Sequence, residues 1–158
     1  KALQILSKKA GIYGMIGGQT ADIEAEDLGD QVTTEHLMFI HAHKTSALIE
    51  AAMMTGAILA GASQEEIAQI EKAAYEIGIA FQIQDDILDI SGDEKVIGKP
   101  VHSDEKNDKT TYVSLYGLEK SHEDVEKYSK KALSIMEELP YENQFLYTLI
   151  EKLINRRK

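Results

Sequence analysis

SQEEIAQIEKAAYEIGIAFQIQDDILDI, Ser63 to Ile90, steps its apolar side chains by three and four. Ile67, Ile70, Ala74, Ile77 and Phe81 fall on one stripe, the pattern of an amphipathic helix packed on a bundle interior. Ser63-x-x-Glu66 opens the segment as a capping box, and no proline interrupts it. The next positions on that stripe are Asp85, Leu88 and Asp89, with Asp86 beside them. Carboxylates so placed repel one another and lose hydration unless a cation sits between them. An acidic helix end taken alone is simply solvated, so the rest of the chain has to decide.

Outward from this helix, strand-like alternation is nearly absent and 3.6-residue periodicity dominates. Residues 1–16 read as the end of a helix running into a turn at Gly17-Gly18. A second helix is expected from the caps Thr33 and Thr34 to about Gly61. Residues 91–109 are polar, contain Gly and Pro, and read as a long loop. Helices are expected again over 110–117, over 121–139 after Ser121-x-x-Asp124, and over 141–156 after Pro140. The fold class is all-α, one partial domain spanning 1–158.

Composition narrows the function classes. The 158 residues are 43% hydrophobic and 28% charged, an ordinary globular balance. Cysteine is absent, which excludes disulfides and thiolate metal sites and suggests the cytoplasm. A net charge of −10 disfavours nucleic acid and anionic membranes as partners. The longest uncharged run, Ala51 to Gln64, is too short to span a bilayer, which takes about 18 residues. The sequence starts at Lys1 within helix-like residues and is expected to be a piece of a longer chain.

The second helix places the opposite charge on its stripe, which runs Leu37, Ile40, His41, Lys44, Leu48, Ala52, Thr55 and Leu59. Lys44 therefore points inward beside Thr45. The loop adds Lys99, Lys109 and Lys106 among Asp104 and Asp108. Asp89, Ser91 and Asp93 alternate as in a calcium loop, but Glu94 stands where glycine is required and Pro100 where the bidentate Glu belongs. His36, His41 and His43 lack the i, i+4 spacing of a helix-face metal pair. Met53 and Met54 are expected in the core, and Gly56 at a close helix contact. Aspartates among lysines suit a metal-bound diphosphate: hard oxygens hold Mg²⁺, the ion bridges to phosphate, and lysines add point charges.

Four motifs in order, GGQTAD (Gly17 to Asp22), HAHKT (His41 to Thr45), FQIQDDILD (Phe81 to Asp89) and GKPVHSDEKNDKTTY (Gly98 to Tyr112), resemble the C-terminal half of trans-isoprenyl diphosphate synthases of the bacterial farnesyl and geranylgeranyl type. The likeness is strong over 17–118 and weaker beyond. It implies the C-terminal part of the isoprenoid synthase helical bundle, a homodimer, and Mg²⁺ (or Mn²⁺) dependence. The implied substrates are an allylic diphosphate and isopentenyl diphosphate. By resemblance Asp85 is the most direct metal ligand, with Asp86 and Asp89 supporting it. Lys44, Lys99 and Lys109 match lysines that hold the allylic diphosphate, and Thr45 and Gln82 match oxygens that stabilise the developing cation. Phe81 matches the aromatic beside the isopentenyl tail, Gln19 and Asp22 a polar pair near the reaction centre, and Asp104 an acid behind the metal-bound diphosphate. His102 and Ser46 stand where the family commonly has glycine. The family's first aspartate-rich motif is not in this sequence, so the 158 residues alone are expected to be inactive. A non-catalytic regulatory or scaffolding subunit would tolerate loss of these charges, and a terpene cyclase would not need the lysine-rich loop with HAHKT.

Overall fold

The structure, a computed structural model, describes residues 1–91 and 109–154, helices joined by turns and short irregular segments. In order they form α1 (Ala2–Ala10), α2 (Met15–Leu28), a 3₁₀ turn (Gly29–Gln31), α3 (Thr34–Ile40), a π turn (His41–Ser46) and α4 (Ala47–Leu59). There follow α5 (Gln64–Ser91), α6 (Tyr112–Tyr116), α7 (Leu118–Glu137) and α8 (Gln144–Ile154). No strand occurs among the described residues. Most of the expected loop, 92–108, and the basic end, 155–158, lie outside them.

α5 is the central element. Its capping box forms as expected: the Ser63 N–H donates to Glu66 Oε2 at 2.6 Å and the Glu66 N–H to Ser63 Oγ at 3.2 Å. From Ala73 onward the helix is covered on nearly every side by the π turn, α4, α6, α7 and α8. Ala73, Ala74, Ile79, Ala80 and Ile83 are fully buried, while Phe81, on the expected stripe, is only half-buried. A one-stripe reading fails here because a helix in the middle of a bundle buries its whole circumference. Its main core partners are Leu37, Tyr112, Val113, Val125, Ala132 and Ile150. Each fully buried isoleucine contributes about 1.5–3 kcal/mol.

Several boundaries differ from expectation for local reasons. Gly17 and Gly18 lie inside α2, and the break falls earlier, between Gly11 and Gly14. Gly18 is there to admit another backbone: a Cβ would stand 2.3 Å from the Lys44 nitrogen. Thr33 caps α3, with His36 in the reciprocal role that Glu usually fills. α7 begins at Leu118, after Gly117 at φ +78°, and Ser121 is buried within it, donating to the Gly117 carbonyl at 2.8 Å. α8 begins at Gln144, where Asn143 accepts from the Leu146 N–H at 3.0 Å.

The second-helix stripe holds through Lys44 and then fails. A π turn advances fewer degrees per residue, so a uniform 3.6-residue step carried through it loses register. Beyond it α4 buries Ala47, Glu50, Ala51 and Met54, whereas Leu48, Ala52 and Leu59 are exposed. Met54 is core as expected, and Met53 packs partly buried against it. Gly56 makes no close contact; a Cβ there would meet nothing within 4 Å. α1 buries no side chain and docks through Lys9, which pairs with buried Glu50 on α4 and with Glu71 on α5 at 2.6 Å. Leu3, Ile12, Tyr13 and Ile23 leave apolar surface on α1, α2 and their connection.

Candidate functional site

Two glycines bring the site together. Gly18 lets α2 lie against the backbone of the π turn, and Gly78 does the same from α5, where a Cβ would stand 2.4 Å from Ser46 Cα. Ser46 is fully buried in that contact, its hydroxyl donating to the carbonyls of His41 at 3.2 Å and Tyr75 at 3.3 Å. A serine is therefore accommodated at the π turn by a glycine on its neighbour. One turn past Gly18 comes Asp22, and one and two turns past Gly78 come Gln82, Asp85 and Asp86. The close approaches thus aim these side chains at His41 and Lys44.

A cavity of about 230 Å³ results, lined by Asp22, Leu37, Ile40, His41, Lys44, Gln82, Asp85, Asp86, Lys109, Thr110 and Thr111. Six of the residues singled out from sequence meet in it: Asp22, Lys44, Gln82, Asp85, Asp86 and Lys109. Thr45 reaches it through Gln82, donating to Gln82 Oε1 at 2.8 Å. Asp89 is buried one turn beyond Asp85, and Phe81 and Gln19 are half-buried; none of the three lines the cavity. Lys99, Asp104 and Lys106 lie outside the described residues.

The strongest electrostatic feature is Asp22. This buried carboxylate takes Lys44 Nζ at 2.5 Å on one oxygen and Lys109 Nζ at 2.9 Å on the other. Burial alone would raise its pKa, but the hydrogen bonds and charges of the two lysines outweigh that and hold it below its ordinary value. His41 goes the other way for an imidazole. Burial first, then the charges of Lys109 and Lys44, push it down to about 3. Asp86 Oδ2, 3.9 Å from His41 Nε2, would favour the imidazolium. That oxygen already accepts the Tyr112 N–H at 2.8 Å, and the pair is beyond hydrogen-bond length, so His41 is neutral.

Among the described residues, no three His, Asp or Glu side chains converge closely enough to hold a metal unaided. Mg²⁺ does not require that. It commonly takes one or two carboxylates and fills its octahedron with water and substrate phosphate. Asp85 in a cavity with two lysines is such a donor set, since the lysines add attraction for the phosphate that would complete the ion.

Sequence reasoning missed several contributors. Thr110 and Thr111 line the cavity, and Thr110 Oγ1 donates to the Gly29 carbonyl at 3.2 Å, tying this segment to the end of α2. The Tyr112 main-chain N–H on Asp86 carries no side-chain signal that a motif could register. The glycine contacts have a visible residue type, but nothing in a single sequence names their partners.

The polyprenyl synthetase family model matches residues 1–149. Farnesyl diphosphate synthase of Bacillus subtilis is 44% identical over 151 residues, covering 96% of this chain and 50% of that protein. The large subunit 1 of a heterodimeric geranylgeranyl pyrophosphate synthase of Arabidopsis thaliana is 46% identical over 134 residues, 84% of this chain and 36% of that one. A geranyltransferase of Helicobacter pylori, solved with magnesium and isoprenyl diphosphate, superposes with a TM-score of 0.76 at 32% identity, over 98% of this chain and 48% of that chain. The chain spans half or less of the length of these three relatives. Among the described residues, no helix is long and apolar enough to cross a membrane.

Proposed function

The chain belongs to the polyprenyl synthetase family, and on that premise we propose that it supplies the allylic-diphosphate side of a prenyltransferase of farnesyl diphosphate synthase type. The reaction joins an allylic diphosphate to isopentenyl diphosphate. The allylic C–O bond breaks, the isopentenyl alkene forms the new C–C bond, and a proton leaves to the released diphosphate. The observation that carries this reading is the single cavity gathering Lys44, Lys109, Gln82, Asp85 and Asp86.

Each residue has work suited to its chemistry. Lys44 and Lys109, for which Asp22 competes, take the diphosphate and neutralise the charge that builds on it as the bond ionises. Asp85, with Asp86 and Asp89 behind it, would hold Mg²⁺ (or Mn²⁺). When bound, that ion supplies Lewis-acid stabilisation of the leaving diphosphate. Thr45 commits its proton to Gln82, so its hydroxyl presents lone pairs rather than a donor to a developing cation. His41, neutral and buried, adds no positive charge against that cation. Lys99, Asp104, Phe81 and Gln19 keep the roles the resemblance implies. The protein acting as a homodimer in the cytoplasm is part of the same proposal.

The test is a condensation assay with geranyl and isopentenyl diphosphates and Mg²⁺. The chain alone is expected to give no product. The chain grafted in place of the matching half of the Bacillus subtilis enzyme is expected to give farnesyl diphosphate, and the same graft with Lys44→Ala to lose it. Condensation by the 158 residues alone would overturn the claim that they are one side of a clamp. An active graft indifferent to Lys44→Ala would overturn the site assignment.

A further inference from the structure

We propose that Tyr112 is a positioning residue for Asp86, fixing that carboxylate from α7 through a buried hydrogen-bonded strut. The inference rests on reading Asp86 as part of a metal–diphosphate site. Neither Tyr112 nor Asp124, the far end of the strut, lines the cavity.

The strut can be followed atom by atom. Asp86 Oδ2 accepts the Tyr112 main-chain N–H at 2.8 Å, with both residues buried. The Tyr112 hydroxyl, at the other end of the same residue, donates to Asp124 Oδ2 at 2.8 Å. Asp124, also buried, takes Lys120 Nζ on its Oδ1 at 2.5 Å. Burial and the bond to Asp124 push the phenol well above its ordinary pKa, so it stays a donor across the working pH range. Burial would raise the Asp124 carboxyl, but the bonds from Lys120 and Tyr112 hold it below its ordinary value, which keeps it an acceptor.

A tyrosine suits this task because a rigid ring and only two rotatable bonds separate its main-chain nitrogen from its hydroxyl oxygen. The ring packs in the core with Ile83, Ile87, Val113 and Val125, and stacks obliquely on Tyr116 at 4.7 Å. Packing and the hydroxyl bond hold the ring in place, and with it the first residue of α6, whose helical backbone points the N–H at Asp86. A carboxylate on the last turns of a helix has several rotamers open to it, and pinning Oδ2 to a fixed main-chain donor selects one. Tyr112→Phe keeps the ring in the core, removes the anchor and leaves Asp124 Oδ2 buried without that donor.

The experiment compares wild type, Tyr112→Phe, Asp124→Asn and a control, Met136→Ala, which loosens a separate core cluster on the same helix without touching the strut. Two readouts are taken on the 158-residue chain: hydrogen exchange of the Tyr112 amide, and calorimetric binding of inorganic pyrophosphate with Mg²⁺. Both strut variants are expected to speed that exchange about tenfold, the scale of one lost hydrogen bond. They are expected to weaken Mg²⁺–pyrophosphate binding by about tenfold, as loss of a group that orients a metal ligand does. Met136→Ala is expected to lower the melting temperature and leave both readouts unchanged. Strut variants that match Met136→Ala in both readouts overturn the proposal. If wild type binds no Mg²⁺–pyrophosphate, the metal–diphosphate reading of Asp86 fails, and the amide exchange still decides whether the strut exists.

Discussion

Replacing Asp22 with asparagine should lower stability and raise anion affinity at once. The carboxylate holds Lys44 at 2.5 Å and Lys109 at 2.9 Å, and a charge-assisted bond of this kind is worth about 1.5–3 kcal/mol when buried. Both lysine side chains are about one-third exposed, so their ammonium groups recover hydration when the partner charge goes. Asparagine also keeps a carbonyl that can accept from one of them. The net loss is then about 2 kcal/mol, which for a chain of this size lowers Tm by roughly 4–8 °C. The effect on ligand runs the other way. With an effective dielectric of ~20, a carboxylate about 5 Å from an entering phosphate opposes it by roughly 3 kcal/mol. Water in the open cavity reduces that to about 1.4 kcal/mol, so pyrophosphate without metal should bind Asp22→Asn about tenfold tighter than wild type. Circular dichroism melts give the first quantity and calorimetric titration the second. Pyrophosphate binding that weakens in step with Tm would refute the reasoning, because Asp22 would then be placing the lysines rather than competing for them.

Acid should destabilise the fold through His41. Its folded pKa of about 3 lies below its ordinary 6.5, so between those values the unfolded state binds a proton that the folded state does not. Stability is intact above about pH 6.5 and falls as pH drops toward 3, by at most ~1.4 kcal/mol per pH unit from this group. Urea midpoints across pH 4–8 should show that slope, and His41→Gln should flatten it. Two glycines should respond oppositely to alanine in thermal melts. Gly78→Ala drives a methyl into Ser46 and should cost about 1–3 kcal/mol. Gly56→Ala meets nothing on an exposed helical position and should stabilise by about 0.5–1 kcal/mol.

How much was legible follows from what each signal depends on. Helix periodicity and caps depend on near neighbours, so α5 and its Ser63–Glu66 box could be read directly. Ordered motifs located Asp22, Lys44, Gln82, Asp85, Asp86 and Lys109, because their residue types and spacing survive in sequence. The phase of α4 could not be read, since the π turn at His41–Ser46 changes the angular step without any residue announcing it. Gly17-Gly18 looked like a turn because glycine permits turns; that Gly18 instead admits the Lys44 backbone is a tertiary fact. Gly56 shows the converse, a glycine with no packing reason visible in the structure. The Tyr112 N–H on Asp86 was beyond reach because every residue but proline has a main-chain donor, and only the fold says which one matters.

Lys44, Lys109 and Asp85 share one cavity, which we propose takes a metal-bound diphosphate. The most direct measurement is ³¹P NMR of inorganic pyrophosphate titrated with the chain, with and without Mg²⁺, for wild type, Lys44→Ala/Lys109→Ala and Asp85→Ala. Wild type is expected to shift and broaden the pyrophosphate resonance, more strongly with Mg²⁺. The double lysine variant should abolish this response, and Asp85→Ala should abolish its dependence on the metal. A resonance that does not respond to wild type, or that responds equally to all three proteins, contradicts the proposal.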